Sequence, residues 1–345
     1  PPRSTLSPSS AASDVYKRQG LEMIAISKTM AKFNPSFVVF LGDMVDNGAN
    51  QTQWDIWFDH VSEYWIGDNG LTIPIVPSLG NHERNSTKYY MQFALPNNEQ
   101  WYYYDLGIVR IIVLNSEASE SQIRGDQRKW LENVLASTPE YMWKIVCFHR
   151  NVYYSGGHEN ATDLQTYWVP IFDKYHVDIV FQAHNHHYHR TKPLRDNKIV
   201  SSSQEGIIYI TTGGWGAPLY DVVEQNYTAY ANKTHHFVLV KAFYNGTLLI
   251  EAKDMYGHTF DILRLYKSPP QFIPSAQPLS EIPFRTSNIL PLMLNTHITS
   301  FLTDYSDFKC KYFLANFPCS QNSCSKPLRI LMIESISDII HLKKS

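Results

Sequence analysis

The sequence predicts a mixed α/β fold, and three observations carry that prediction. Short apolar runs rich in β-branched residues alternate with amphipathic stretches of helical period. Four of the apolar runs stop on side chains able to bind a metal: Asp43, Asn81 with His82, His149, and His184 with His186. The chain has 345 residues, 43% of them hydrophobic and 14% aromatic, which supplies ample core for one large domain or two small ones.

In chain order, residues 1–20 (PPRSTLSPSSAASDVYKRQG) are rich in Ser and Pro and have no apolar period. The string SSAASDVYKRQ resembles a translated adapter sequence, so this stretch is expected to be a non-native or disordered leader, with the natural N-terminus missing. It has no apolar centre and is no signal peptide. LEMIAISKTMAKF reads as an amphipathic helix ended by Asn34-Pro35. SFVVFLGD reads as a strand ending in Gly42-Asp43, and residues 51–65 as a helix. TIPIVPSLGNHE is a strand ending in Gly80-Asn81-His82-Glu83. VRIIVLNS is a strand, DQRKWLENVLAS a helix, WKIVCFH a strand ending at His149, and WVPIFDKY a helix leading into the strand VDIVFQAH. GIIYITTGG, HHFVLVKAF and TLLIEAKD read as hairpin strands, with Asn245-Gly246 a tight turn between the last two. From these elements residues 21–267 are expected to form the catalytic domain. Residues 268–345 are expected to be a Pro-rich linker and a tail without clear period.

Composition excludes several classes. A net charge of −2 gives no broad basic surface for nucleic acid. No apolar run approaches the roughly 18 residues of a membrane span. Of the four cysteines, Cys147 lies in an apolar run and is expected to be a buried thiol. Cys310, Cys319 and Cys324 form neither a disulfide framework nor a zinc pattern. Six N-x-[ST] sequons, at Asn50, Asn85, Asn160, Asn226, Asn232 and Asn245, hint at a glycoprotein with a secretory history.

The strand ends hold the chemistry. Ligands collect at the carboxyl ends of strands in α/β sheets, and neutral imidazole is a common metal ligand. FQAHNHHYHR places four of the chain's 14 histidines directly after a strand. The period-two alternation aims His184 and His186 the same way and His187 the other. A turn explains any single Gly-Asp or Gly-Asn-His, and packing explains a lone His149. The ordered set of Asp43, Asn81, His82, His149, His184 and His186 is not explained by turns and packing taken one at a time.

The motifs GDMVDNG, LGNHE, FHRNVYYSGGH and VDIVFQAHNHHYHRT resemble those of the calcineurin-like metallophosphoesterases. The closest branch resembles the purple acid phosphatases, a likeness supported by DQRKWLENVL and YHVDIVFQAHNHHYHRT. The resemblance covers roughly residues 21–267. It implies a four-layer sandwich of two mixed β-sheets flanked by helices, with metals at one edge. It implies a phosphoester hydrolase, foremost a phosphomonoesterase acting on a small phosphorylated substrate, with a phosphodiesterase or nucleotide pyrophosphatase as the rival. Two transition metals, from Fe, Zn or Mn, would sit about 3.5–4 Å apart and acidify a water for in-line attack. Asp43 would bridge them and share in catalysis. Asn81, His149 and His184 would complete one site and His186 would serve the other. His82 would stand near the leaving oxygen, and His158, with Asn81 and His82, would contact substrate. Mixed O and N ligands disfavour calcium. The branch also implies a secreted, lysosomal or vacuolar setting. Oligomeric state is left open.

Departures from the pattern temper this. The family's upstream strand ending in Asp-x-Gly or Asp-x-His has no counterpart, so the sheet is expected to lack its first strand and one metal a carboxylate. An impaired catalyst is therefore the third reading. Asp46 replaces the tyrosine of purple members and is expected to be a turn residue. Glu159 stands where many members have a second histidine, and Ala183 where Gly commonly precedes the first histidine of the pair. His187 and His189 are expected to support the loop or meet solvent. Tyr188 and Arg190 are expected to pack, and Glu83 to orient His82 or cap a turn.

Overall fold

The computed structural model describes residues 8–268 and 327–333. The elements are α1 (Pro8–Ala31), β1 (Phe37–Phe40), α2 (Gln51–Tyr64), β2 (Ile75–Pro77), α3 (Thr87–Gln92), β3 (Tyr102–Leu106), β4 (Val109–Val113), α4 (Glu120–Arg124) and α5 (Asp126–Ala136). They continue with β5 (Trp143–Cys147), α6 (Thr162–Tyr167), α7 (Val169–Lys174), β6 (Ile179–Gln182), β7 (Tyr188–Thr191), β8 (Leu194–Arg195), β9 (Lys198–Ile199), β10 (Ile208–Thr212), β11 (Thr228–Asn232), β12 (His236–Ala242), β13 (Thr247–Asp254), β14 (Thr259–Tyr266) and β15 (Leu328–Ile333).

Two large mixed sheets face each other. One runs β14-β13-β12-β15-β1-β2 and the other β11-β7-β10-β6-β5-β4-β3, with β8-β9 a small separate ribbon. Alternation along each strand decides which layer a side chain serves. On β1 and just beyond it, Phe37, Val39 and Leu41 enter the core between the sheets, where they join Val109, Ile111, Ile145, Cys147, Ile179 and Phe181. Val38 and Phe40 point the other way and pack with Ile26, Met30, Trp54, Trp57 and Trp65. On the outer face of the second sheet, Ile112, Val146 and Val180 pack with Leu131, Trp168 and Phe172. The result is the expected helix–sheet–sheet–helix sandwich.

The helices carry local signals that match their positions. Asn50 caps α2, its Oδ1 accepting the Thr52 N–H at 3.0 Å, a contact of about 1 kcal/mol. Gly246, at φ 84, turns β12 into β13.

Two boundaries differ from the sequence reading. Helix α1 starts at Pro8 rather than Leu21, so part of the expected leader is helical. Within the expected tail, residues 328–333 form a strand at the centre of a sheet. Strand β15 pairs in parallel with β1 (Phe37 opposite Ile330, Phe40 opposite Ile333) and antiparallel with β12. Ile330, Leu331, Met332 and Ile333 are wholly buried. Beside β1, where a strand was expected to be missing, the sheet is continuous: β1 is paired by β15 on one side and β2 on the other. The apolar run LRILMI finds its place through distant partners, which no local period reveals. Cys147 is a buried free thiol, as expected. Cys310, Cys319 and Cys324 lie outside the described residues.

The sheets are also joined by side chains. Tyr188 donates to Asp261 at 2.8 Å, and Arg190 grips the same carboxylate through Nε at 2.6 Å and Nη2 at 2.9 Å. This ties β7 of one sheet to β14 of the other, a packing role for both residues.

Candidate metal centre

Strands β1 and β2 run parallel in one sheet, and β5 and β6 run parallel in the other. Their carboxyl ends meet at one edge of the sandwich. Two glycines let the loops beyond β1 and β2 touch. A Cβ on Gly42, which sits at φ 97, would lie 2.7 Å from the Gly80 Cα and 2.8 Å from the His149 Nδ1. A Cβ on Gly80 would lie 2.2 Å from the Asp43 Oδ1. Asp43 (φ 58) and His184 (φ 63) both hold left-handed backbones, which cost a non-glycine residue about 1 kcal/mol or more. The strained position is His184 itself, not Ala183, so the alanine there meets no backbone penalty.

Four atoms converge on one point. The His149 Nε2 lies 2.8 Å from the Asn81 Oδ1, 3.0 Å from the His184 Nδ1 and 3.1 Å from the Asp43 Oδ2. One ligand atom from each of Asp43, His149 and His184 lies within 4.8 Å of the other two. The His149 Nδ1 sits 2.9 Å from the Leu41 carbonyl, which only accepts, so this nitrogen bears the proton and Nε2 keeps a lone pair. A carboxylate oxygen, an amide oxygen and two imidazole nitrogens thus face one another. A second proton on His149, or a metal ion, reconciles them. The mixed O and N donor set fits a transition metal, and the Leu41 carbonyl orients His149 as metal-bound histidines are usually oriented.

Burial keeps His184 and His186 neutral, the form that binds metal. Burial, with His149 and His158 nearby, holds His184 down at about 2. Burial also lowers His186 to about 4. For Asp43, burial works upward, but His149 and His82 prevail and hold the carboxyl at about 2.

His186 lies outside the trio. Its Nδ1 donates to the Pro218 carbonyl at 2.9 Å, leaving Nε2 as the ligand atom, and its ring stacks on Tyr220 with centroids 4.3 Å apart. His82 stands beside Asp43, whose Oδ1 accepts its backbone N–H at 2.9 Å. The His82 ring donates from Nδ1 to the Asp46 carbonyl at 2.9 Å, with the Asp46 Oδ1 at 3.3 Å. Asp46 therefore does more than turn the chain. Burial lowers the His82 pKa, but Asp43 and both Asp46 contacts outweigh it and the net direction is upward. His158 stacks on His184 at 3.9 Å, so the structure brings it to the site as well.

Four neighbours play parts that residue spacing did not foretell. Glu83 neither orients His82 nor caps a turn. It is fully buried and accepts N–H groups from Asp43, Gly80, Met44 and Val45. Its place in LGNHE was the available signal. His187 and His189 do not meet solvent: His187 bonds Ser155 at 2.8 Å, and His189 sits in β7 and bonds Thr228 at 2.9 Å. Tyr220 lies in a stretch without period and gave no signal.

The family profile described as calcineurin-like phosphoesterase matches residues 17–188, which include all the converging side chains. The chain carries a calcineurin-like phosphoesterase domain. Its relatives include a probable inactive purple acid phosphatase 27 of Arabidopsis thaliana, 26% identical over 280 residues, covering 68% of this chain and 44% of that one. A nucleotide pyrophosphatase/phosphodiesterase of Hordeum vulgare is 25% identical over 279 residues, covering 68% of this chain and 73% of that one. The phosphoesterase domain shares its fold with purple acid phosphatase PPD1 from yellow lupin (Lupinus luteus) seeds: TM-score 0.61, 22% identity, 71% of this chain and 49% of that one. The chain spans only 37% to 44% of the length of three curated relatives that it matches. Among the described residues no helix is long and apolar enough to cross a membrane.

Proposed function

We propose that this phosphoesterase domain hydrolyses small phosphomonoesters with two transition-metal ions. The observation that carries the reading is the convergence of Asp43, Asn81 and His184 on the His149 Nε2. These four residues would hold one ion, with Asp43 shared and His186 serving the second. Bound ions of this kind lend Lewis acidity to phosphoryl oxygens and acidify the attacking water.

The chain's own residues do the rest. Asp43, ionised well below neutral pH, keeps its charge where cations are needed. His82 holds one ring proton on the Asp46 carbonyl, so Nε2 is the atom that exchanges a proton with the leaving oxygen. His158, stacked on His184, walls the substrate side. The exposed sequon residues Asn50, Asn85, Asn226 and Asn245 suit a glycosylated protein in a secreted, lysosomal or vacuolar setting.

Two observations favour other readings. The barley relative bears a diesterase name, so a diester or nucleotide pyrophosphate is the rival substrate. His186 lies outside the trio of potential ligands found among the described residues, which favours a chain that holds one ion and turns over poorly.

Metal content per chain by elemental analysis, together with turnover of p-nitrophenyl phosphate and bis(p-nitrophenyl) phosphate, separates the three. Two ions and faster monoester turnover are expected. Faster diester turnover selects the rival, and one ion or none without turnover selects the impaired form. Asn81→Ala and His149→Ala should each abolish turnover, and near-normal activity in either would sink the assignment.

A further inference from the structure

The segment from Pro218 to Val223 is neither helix nor strand, yet it is tied down at several points. The Pro218 carbonyl accepts the His186 Nδ1–H at 2.9 Å. The Tyr220 N–H donates to the His186 carbonyl at 3.0 Å, and the Val223 N–H donates to the Ser155 carbonyl at 2.8 Å. The segment is thus hung between the histidine loop and the loop that carries His158. From it, the Tyr220 ring lies almost parallel to the His186 ring, 4.3 Å away with 17° between planes. The same ring stands edge-on to His158 at 5.5 Å. Gly157 makes room for it, since a Cβ there would fall 2.7 Å from the Tyr220 Cδ2.

We propose that Tyr220 is a positioning residue that fixes the imidazole of His186, and through it the second metal position, by stacking on its face while Pro218 holds its edge. One hydrogen bond at Nδ1 fixes the tautomer but leaves the ring plane able to tilt about the bond to Cβ. A stacked ring narrows that tilt and keeps Nε2 aimed in one direction. The ties of the segment are main-chain bonds, so removing the ring leaves the segment in place.

The metal half of the test rests on the reading given above, and the other half does not. Wild type, Tyr220→Phe and Tyr220→Ala are compared by zinc titration calorimetry. They are compared again, without metal, by the NMR order parameter of the His186 Cδ2–Hδ2 bond. Tyr220→Phe keeps the stack and should match wild type in both. In Tyr220→Ala the weaker zinc step should lose about 10–100-fold in affinity while the tighter step is kept. Its metal-free His186 keeps the tautomer that the Pro218 carbonyl sets, and its ring order parameter should fall. An unchanged order parameter in Tyr220→Ala overturns the proposal, as does equal loss at both zinc steps. Should wild type take up no zinc, the metallophosphoesterase reading fails, and the metal-free order parameter still decides the role of Tyr220.

Discussion

The buried carboxylate of Glu83 accepts the backbone N–H of Asp43 at 2.8 Å, so one acid holds the main chain of another. The same oxygen takes the Gly80 N–H at 2.7 Å, and the second oxygen takes those of Met44 and Val45 at 2.6 and 3.3 Å. Glu83 thereby gathers the loops that follow β1 and β2 and fixes Asp43 against Asn81. Glu83→Gln puts an amide N–H₂ against backbone donors. We expect it to cost on the order of 1–3 kcal/mol and to lower metal affinity about 10–100-fold. Urea unfolding and metal content after dialysis check both, and unaltered metal retention would dismiss the role.

Strand β15 makes a second prediction. Leu331 is wholly buried on the helix-facing side of its sheet, between β1 and β12. Leu331→Ala should destabilise the domain by about 2–5 kcal/mol, read as a lower urea midpoint. A change of a few tenths would mean that residues 328–333 do not occupy the sheet.

These two cases mark what the sequence reveals. The four ligand-bearing strand ends were legible because β-branched runs and polar stops are local signals. The layers were legible because Val38 and Val39, adjacent in sequence, must face opposite ways. The pairing of Leu331 with distant strands was not, because the partners lie far off in sequence and the tail has no period of its own. Strand β7 was masked by its histidine, His189, which reads as loop chemistry but is buried against Thr228. Tyr220 was invisible because its partner His186 is chosen by a segment folded through main-chain bonds.

Buried histidines away from the metal ligands predict acid sensitivity of the metal-free chain. Burial holds His60 at about 4, and His189 and His236 at about 3, against 6.5 when unfolded. Unfolding therefore takes up protons below pH 6.5. The stability that is complete above this value is lost as pH falls toward 4, at about 1.4 kcal/mol per pH unit for each histidine. Glu83 opposes this, because burial and Asp43 push it up to about 7, so it adds stability as pH falls from 7 to 4.5. Asp173 and Asp178, raised by burial, and His82, whose burial is overcome by its acidic neighbours, oppose the loss too. His184, His186 and His187, lowered by burial, add to the other histidines, and together they outweigh these groups. The urea midpoint should fall between pH 6.5 and 4, and His60→Asn should flatten the slope. A midpoint that rises through this range would contradict the burial.

The pairing of His82 with Asp46 predicts the alkaline limb of the rate profile. A general acid must carry its proton, so its contribution fades as pH rises through its pKa. Burial would bring that fading earlier, but the Asp43 charge and the Asp46 carbonyl and carboxylate raise the His82 pKa and push it to higher pH. Asp46→Asn removes one of these charges and leaves the carbonyl contact, so the limb should move to lower pH with metal content unchanged. His82→Asn keeps the backbone N–H on Asp43 and removes the ring. Its kcat for an alkyl phosphate should fall about 10²–10⁴-fold. The loss should be smaller for p-nitrophenyl phosphate, whose leaving group needs little protonation. Equal losses on both substrates would show that His82 stabilises charge without transferring a proton. An unmoved limb in Asp46→Asn would show that the Asp46 carboxylate does not tune it.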